Sequence, residues 1–162
     1  MTIREALEKA NRKLMSKIDN AMSNEVFKKV QDEEAATIYE EVYKVYTPIM
    51  YDRRREYGGL ADPYNIEMRG GTAKNGVLVV VNTTEPNPGG CPDVGQVTTG
   101  KNLPELVEYG DGYKFYRYDF PKNRRYMKPR PFTQKTIEHL KQNRAHVSAL
   151  KAGLKRQGIK VK

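Results

Sequence analysis

Apolar residues recur at steps of three and four over long stretches near both ends of the chain. Ile3, Leu7, Ala10, Leu14, Ile18 and Met22 form the first series, and Val26, Val30, Ile38, Val42 and Val45 extend it. Ile137, Leu140, Val147, Leu150 and Leu154 form the other. That period places each series on one face of a helix, so the ends of the chain must pack helices through single stripes. Thr2 and Glu5 have the spacing of a capping box at the start of the first helix. Ser23 and Asn24 are good N-caps for a second helix, which ends at Tyr46-Thr47-Pro48. Its weakest part is residues 32–35, polar but for Ala35, where a bend is expected. The last helix is expected to start near Thr133, because Pro129 and Pro131 forbid helix before it, and to stop at Gly158.

The middle of the chain has strand and turn chemistry. Asn75-Gly76 predicts a hairpin with a type I′ turn, joining a strand at residues 65–69 to one at residues 77–81. The second strand is apolar at every position, which predicts burial on both faces. The Gly-Gly pairs at 58, 70 and 89 read as turns. Residues 85–101 hold three prolines and four glycines without periodicity, a long loop and hence a candidate contact element. Residues 103–109 predict a short helix with Pro104 near its start and Gly110 as its stop, and residues 113–120 an aromatic strand. The expected fold class is α+β, with N-terminal helices and a long C-terminal helix packed on a small antiparallel sheet. One domain is expected over 1–162: a helical region (1–47), a hairpin and sheet region (48–120), and a basic linker with the last helix (121–162).

Charge is distributed end to end. Residues 1–57 carry 11 basic and 11 acidic groups, residues 58–112 carry 3 and 7, and residues 113–162 carry 15 and 2. Such a chain can offer a basic surface to nucleic acid or to an acidic neighbour. Hydrophobic residues make up 38% of the sequence, which implies a thin core and a wet surface. The lone cysteine, Cys91, excludes a disulfide framework and a Cys-based zinc site, and the longest aliphatic run falls far short of the about 20 residues of a membrane span. The opening MTIREALEK lacks the layout of a signal peptide, so a reducing cytoplasm is the expected place of synthesis.

Catalytic chemistry is poorly supplied. His139 and His146 stand seven apart, about 10 Å along a straight helix, too far to share an ion. Cys91 in GGCPD has no neighbouring base to activate it. No enzyme activity, cofactor or metal is expected, although Arg124, Tyr126 and His139 would be the groups of a metal-independent ribonuclease. Lys122, Arg124, Arg125, Lys128 and Arg130, near Tyr116, Tyr118 and Tyr126, form a basic cluster that resembles a nucleic-acid surface. With Arg53, Arg54, Arg55 and Cys91 these are the candidate contact residues. Pro129, Pro131 and Phe132 read as a structural joint, with Phe132 anchoring the last helix in the core. A small basic nucleic-acid-binding protein of the cytoplasm is therefore the alternative reading.

The order of several segments resembles the tail-completion, or head-tail joining, proteins of long-tailed bacteriophages. The resemblance spans roughly residues 35–158 and rests on Tyr46, Pro48, Tyr51, Arg53, Gly59 and Leu60, then Val107, Glu108, Tyr109 and Gly110, then Pro129, Pro131 and Phe132. The chain departs from the pattern at Glu56-Tyr57-Gly58 and in its longer loop after Pro86. The resemblance implies a virion structural protein of the neck, made in the host bacterial cytoplasm. Its implied partners are copies of itself in a ring of six or twelve, head-completion or connector proteins, and tail terminator or tail tube proteins. It implies at most weak, non-specific contact with packaged DNA and no membrane. The basic excess can face either that DNA or the acidic surface of the next copy, and the neighbour is favoured.

Overall fold

The computed structural model describes residues 2–45, 54–73, 75–86, 95–97, 102–110, 114–116 and 128–161. Helix α1 (Ile3–Ala21) opens on the capping box: Thr2 Oγ1 accepts the Glu5 N–H at 3.3 Å and Glu5 Oε2 accepts the Thr2 N–H at 2.8 Å. The helix does not restart at Ser23 and Asn24, contrary to the expected caps. A π-helical turn, Met22–Val26, carries it directly into α2 (Phe27–Ile38), and a second, Tyr39–Tyr43, closes it. The Asn24 side-chain amide donates to the Asn20 carbonyl at 2.9 Å, occupying the acceptor that a regular turn offers to the backbone N–H of residue 24. The wider turn itself is seen at Phe27, whose N–H donates to the Met22 carbonyl. Residues 32–35, the expected bend, are regular helix. Because a π-turn inserts a residue, it rotates the face that follows it: Gln31, Glu34, Thr37 and Ile38 are buried, while Val26 and Val30 are only half-buried.

The chain groups into two compact units, Met1–Glu33 with Glu67–Val81 and Glu138–Lys162, and Glu34–Ile66 with Asn82–Ile137. In the first, strands β1 (Ile66–Thr72) and β2 (Val77–Asn82) form a two-stranded antiparallel hairpin. Its turn is closed by the Gly76 N–H donating to the Ala73 carbonyl, which makes Gly76, at φ 61°, the last residue of the turn rather than one of its two central residues. That corrects the type I′ expectation. Gly70 and Gly71 are not a turn but the end of β1, and Gly71 is required there because a Cβ would lie 2.4 Å from the Val77 carbonyl oxygen. The strand expected to be buried on both faces leaves Val77, Val79 and Val81 exposed, since a two-stranded hairpin has only one face to cover.

The expected single last helix is two helices in series, α4 (Phe132–Asn143) and α5 (Ala145–Arg156), broken at Arg144 with φ 51°. Asn143 Oδ1 accepts the Ala145 N–H at 2.8 Å and restarts the ladder. Helix α5 lies on the C-terminal half of α1 and the π-turn after it. Gly153 makes the approach possible, because a Cβ there would sit 2.9 Å from the Ala21 Cβ. Lys17 Nζ donates to the Gln157 carbonyl at 2.6 Å, and Gln157 Nε2 to the Lys17 carbonyl at 2.9 Å. Among the described residues the first half of α1 has no such cover, and residues 7–14 are all exposed.

The second unit is built on Ile38, Val42, Leu60, Ala61, Val107 and Phe132, with Ala35, Tyr43 and Leu103 packed against them. Helix α3 (Leu103–Tyr109) has Pro104 in its first turn and ends on Gly110 at φ 65°. Strands β3 (Gly95–Val97) and β4 (Lys114–Tyr116) pair antiparallel, with Gln96 opposite Phe115. Three residues of the expected long loop are thus strand; its residues 87–94 and 98–101, and 113 and 117–120 of the aromatic strand, lie outside the described residues. Phe132 is 0% exposed. The helix it begins is capped from a distance: Glu108 accepts the Thr133 N–H at 2.9 Å and the Gln134 N–H at 3.4 Å. A carboxylate at a helix N-terminus also meets the positive end of the dipole.

Phe132→Ala is expected to cost about 3 kcal/mol in a denaturant melt, and Glu108→Ala about 1 kcal/mol through loss of the cap. Tyr57→Ala, an exposed aromatic in the same unit, should leave the melt unchanged and serves as the comparison.

Candidate functional site

The sequence-derived candidate residues fall in different settings. Arg53, Cys91, Lys122, Arg124, Arg125 and Tyr126 lie outside the described residues. Arg54 is half-buried, and its Nη2 donates to the Glu85 carbonyl, which ties the segment before Gly58 to the strand exit after Asn82. Arg55 is exposed and takes φ 47°, and its carbonyl accepts the Tyr43 hydroxyl at 3.4 Å. That carbonyl also dictates Gly59, where a Cβ would lie 2.2 Å from the Arg55 oxygen. Lys128, Pro129 and Pro131 are exposed and Arg130 is half-buried, its N–H donating to the Val107 carbonyl at 3.0 Å. His139 Nδ1 stands 3.7 Å from Glu33 Oε1, and His146 has a buried Nδ1 without a partner among the described residues.

The second unit instead gathers a buried polar network that the sequence reading missed. Asn82 Nδ2 donates to Glu34 Oε1 at 3.1 Å and to the Leu60 carbonyl at 2.8 Å. Its Oδ1 accepts the Thr84 hydroxyl at 2.6 Å and the Thr84 N–H at 3.2 Å. Asn65 Nδ2 donates to the Gly59 carbonyl at 3.0 Å, and Asp62, also buried, accepts the N–H groups of Gly58 and Tyr64. Each acceptor is the partner that makes burial of these groups affordable. Burial pushes the Glu34 carboxyl above the ordinary carboxylate range, the Asn82 amide pulls it back, and the charge of Glu108 adds to the rise. Glu34 was legible in one respect, since it stands four residues before Ile38 on the apolar face, where a carboxylate is out of place.

Above this network, Tyr39 Oη donates to Glu56 Oε2 at 2.7 Å, and the Tyr39 and Tyr43 rings meet edge to face at 5.0 Å. The shared hydrogen bond raises the tyrosine and lowers the carboxyl. Tyr43 Oη accepts the Ala61 N–H at 3.2 Å, so this aromatic pair holds the Gly58-Gly59 turn at two points.

The first unit carries accessible charge of one sign. Its acidic side chains are all engaged: Glu5 in the cap, Asp19 on the Ala73 N–H, Glu8 with Arg4, Glu25 with Arg156, Asp32 with Lys28, Glu33 with Lys29, Glu67 with Arg69, and Glu138 likewise partnered. Lys9, Arg12, Lys13, Lys141, Arg144, Lys151, Lys155 and Lys160 are exposed and have no ion pair among the described residues. The cleft lined by Asn20, Asn24, Glu25, Gly153, Arg156 and Gln157 has its two charges paired with each other. Among the described residues no group of three His, Cys, Asp or Glu could hold a metal, and no helix is long and apolar enough to cross a membrane.

Glu34 generates a pH prediction with a definite sign. Its raised pKa means the folded state binds the proton more tightly than the unfolded state, so stability is full below the ordinary carboxylate value and falls as pH rises through the raised one. Glu34→Gln keeps an oxygen for the Asn82 amide and removes the charge. Melts at pH 5 and pH 7 should show the parent losing stability over that interval and the variant losing less; equal slopes would place Glu34 in contact with solvent.

No solved structure matches this chain. One relative is the SPbeta prophage-derived uncharacterized protein YomN of Bacillus subtilis (strain 168), 32% identical over 126 residues, which cover 76% of this chain and 71% of that protein. The model of the YomN family matches residues 6–156, from the first turns of α1 to the end of α5. That span takes in all of the second unit and most of the first, and the chain belongs to the YomN family.

Proposed function

We propose that this chain is a phage-encoded structural protein of the virion neck, a tail-completion subunit that sits as one copy in a ring between the tail tube and the head connector, around the DNA channel. The observation that carries the reading is unfinished burial. Each unit has a small core, while Val77, Val79 and Val81 on the hairpin, Tyr57 and Tyr64 in the second unit, and Ile3, Leu7 and Leu14 on α1 stand exposed. Apolar surface left open in this way is what a subunit closes against neighbours. The prophage origin of the relative supports a phage source. The segments that resemble tail-completion proteins also supply the folded centre of the second unit: Gly59, Leu60, Val107 and Phe132 lie in or against one core, and Glu108 and Gly110 stop one helix and cap the next. The neck reading assigns the chain no catalysis and no cofactor.

A second reading, attachment to nucleic acid, is favoured by the exposed, unpaired cations on α1, α4 and α5. In the neck these would give a diffuse positive field along which a genome can slide, rather than a grip on individual phosphates.

Deleting the gene from an inducible prophage is expected to leave filled heads beside detached tails in electron micrographs, and normally joined particles would reject the neck assignment. Binding of the purified chain to duplex DNA should be weak and should fall steeply between about 50 and 200 mM salt; tight binding that survives that salt would favour the second reading.

A further inference from the structure

We propose that the first half of α1 pairs antiparallel with the same segment of a second copy of this chain. Ile3, Leu7 and Leu14 are 83%, 66% and 43% exposed, and with Ala10 they form one uncovered stripe. The helix there is nonetheless well started by its capping box. A helix whose polar and apolar faces are both in solvent is marginal by itself, so its apolar stripe is surface awaiting a partner.

The pattern of the stripe selects the partner. Its steps are four, three and four, the narrow seam of a coiled coil rather than the broad face of a core helix. Read from the opposite end, the series Ile3, Leu7, Ala10, Leu14 has the same steps. In an antiparallel pair Ile3 therefore meets the other copy's Leu14, and Leu7 meets its Ala10, with large against small at the centre of the seam. The flanks agree with this arrangement. Arg4 falls opposite Asn11 on one side and Lys13 opposite Ala6 on the other, so no cation faces a cation, while the uncompensated Lys9 and Arg12 point away from the seam. Antiparallel helices also set opposite dipole ends side by side. Such a contact is isologous and closes on itself, as a two-fold interface must.

Four seam positions per helix cover well under the roughly 1,200 Å² of a stable specific interface. The pair is accordingly weak and concentration-dependent, formed in the free chain and available for exchange when a larger assembly offers more surface. The inference does not rest on the neck reading: it concerns two copies in solution, whereas the gene deletion concerns the particle.

Sedimentation of the full chain from about 10 µM to about 1 mM is expected to show a shift from monomer toward dimer. Leu7→Glu should abolish the shift with unchanged circular dichroism, since Leu7 supports nothing in the fold, and Lys9→Glu should retain it. For orientation, Leu7→Cys and Ala10→Cys are each made in a Cys91→Ser background, mixed and oxidised. The mixed disulfide should exceed either homodimer several-fold. A chain that stays monomeric throughout, a dimer that survives Leu7→Glu, or a predominance of the Leu7→Cys homodimer, the parallel product, would overturn the proposal.

Discussion

The two amide protons of Asn82 tie three separate segments of the second unit together. One goes to the carboxylate of Glu34 on α2 and the other to the carbonyl of Leu60 in the turn segment, while the amide oxygen takes the hydroxyl of Thr84. A buried amide that lost any of these partners would carry the cost of desolvation with no return, about 1–3 kcal/mol for each orphaned group. The geometry of the turn follows from the network. Gly59 must be glycine because the Arg55 carbonyl lies where a Cβ would go, and that carbonyl is held by Tyr43. Leu60 and Ala61 are thereby set in the core with Phe132.

Phe132 fills the same core from the other direction, and its helix is started by Glu108 on α3, itself stopped by Gly110. Among the described residues that carry the phage resemblance, Gly59, Leu60, Val107, Glu108, Gly110 and Phe132 are therefore scaffold. A resemblance of that kind speaks to fold more directly than to partners, which is why the neck assignment needs the particle experiment while the packing needs only melts. What faces outward is different in kind: valines on one side of a hairpin, a seam of Ile and Leu on α1, and cations whose local acids are already taken. In the neck proposed above, these charges would act as a field beside DNA and the apolar seam would supply register between copies.

Helix existence was legible in the chain because a 3.6-residue period survives any tertiary context, and the capping box at Thr2 and Glu5, the Asn75-Gly76 turn and the Gly110 stop are local chemistry that needs no distant partner. Continuity was not. Ser23 and Asn24 are good caps in isolation, yet Asn24 bonds back to Asn20, α5 packs there through Gly153, and the helix runs on through a π-turn. Arg144, an ordinary helix former by propensity, sits at φ 51° and divides the last helix, with Asn143 restarting it; nothing within the helix foretells that.

By itself, then, the sequence determined the α+β class, which stretches become helix or hairpin, and the basic excess of the last region. Tertiary structure alone decided that Glu34 is buried, that Glu108 caps a helix 25 residues away, and that the Val77, Val79 and Val81 face is open. Periodicity and local turn chemistry are short-range properties, fixed within a few residues of themselves. Burial of a carboxylate, a cap donated across a core and an uncovered strand face depend on which segments arrive alongside, and that information resides in no single window of the chain.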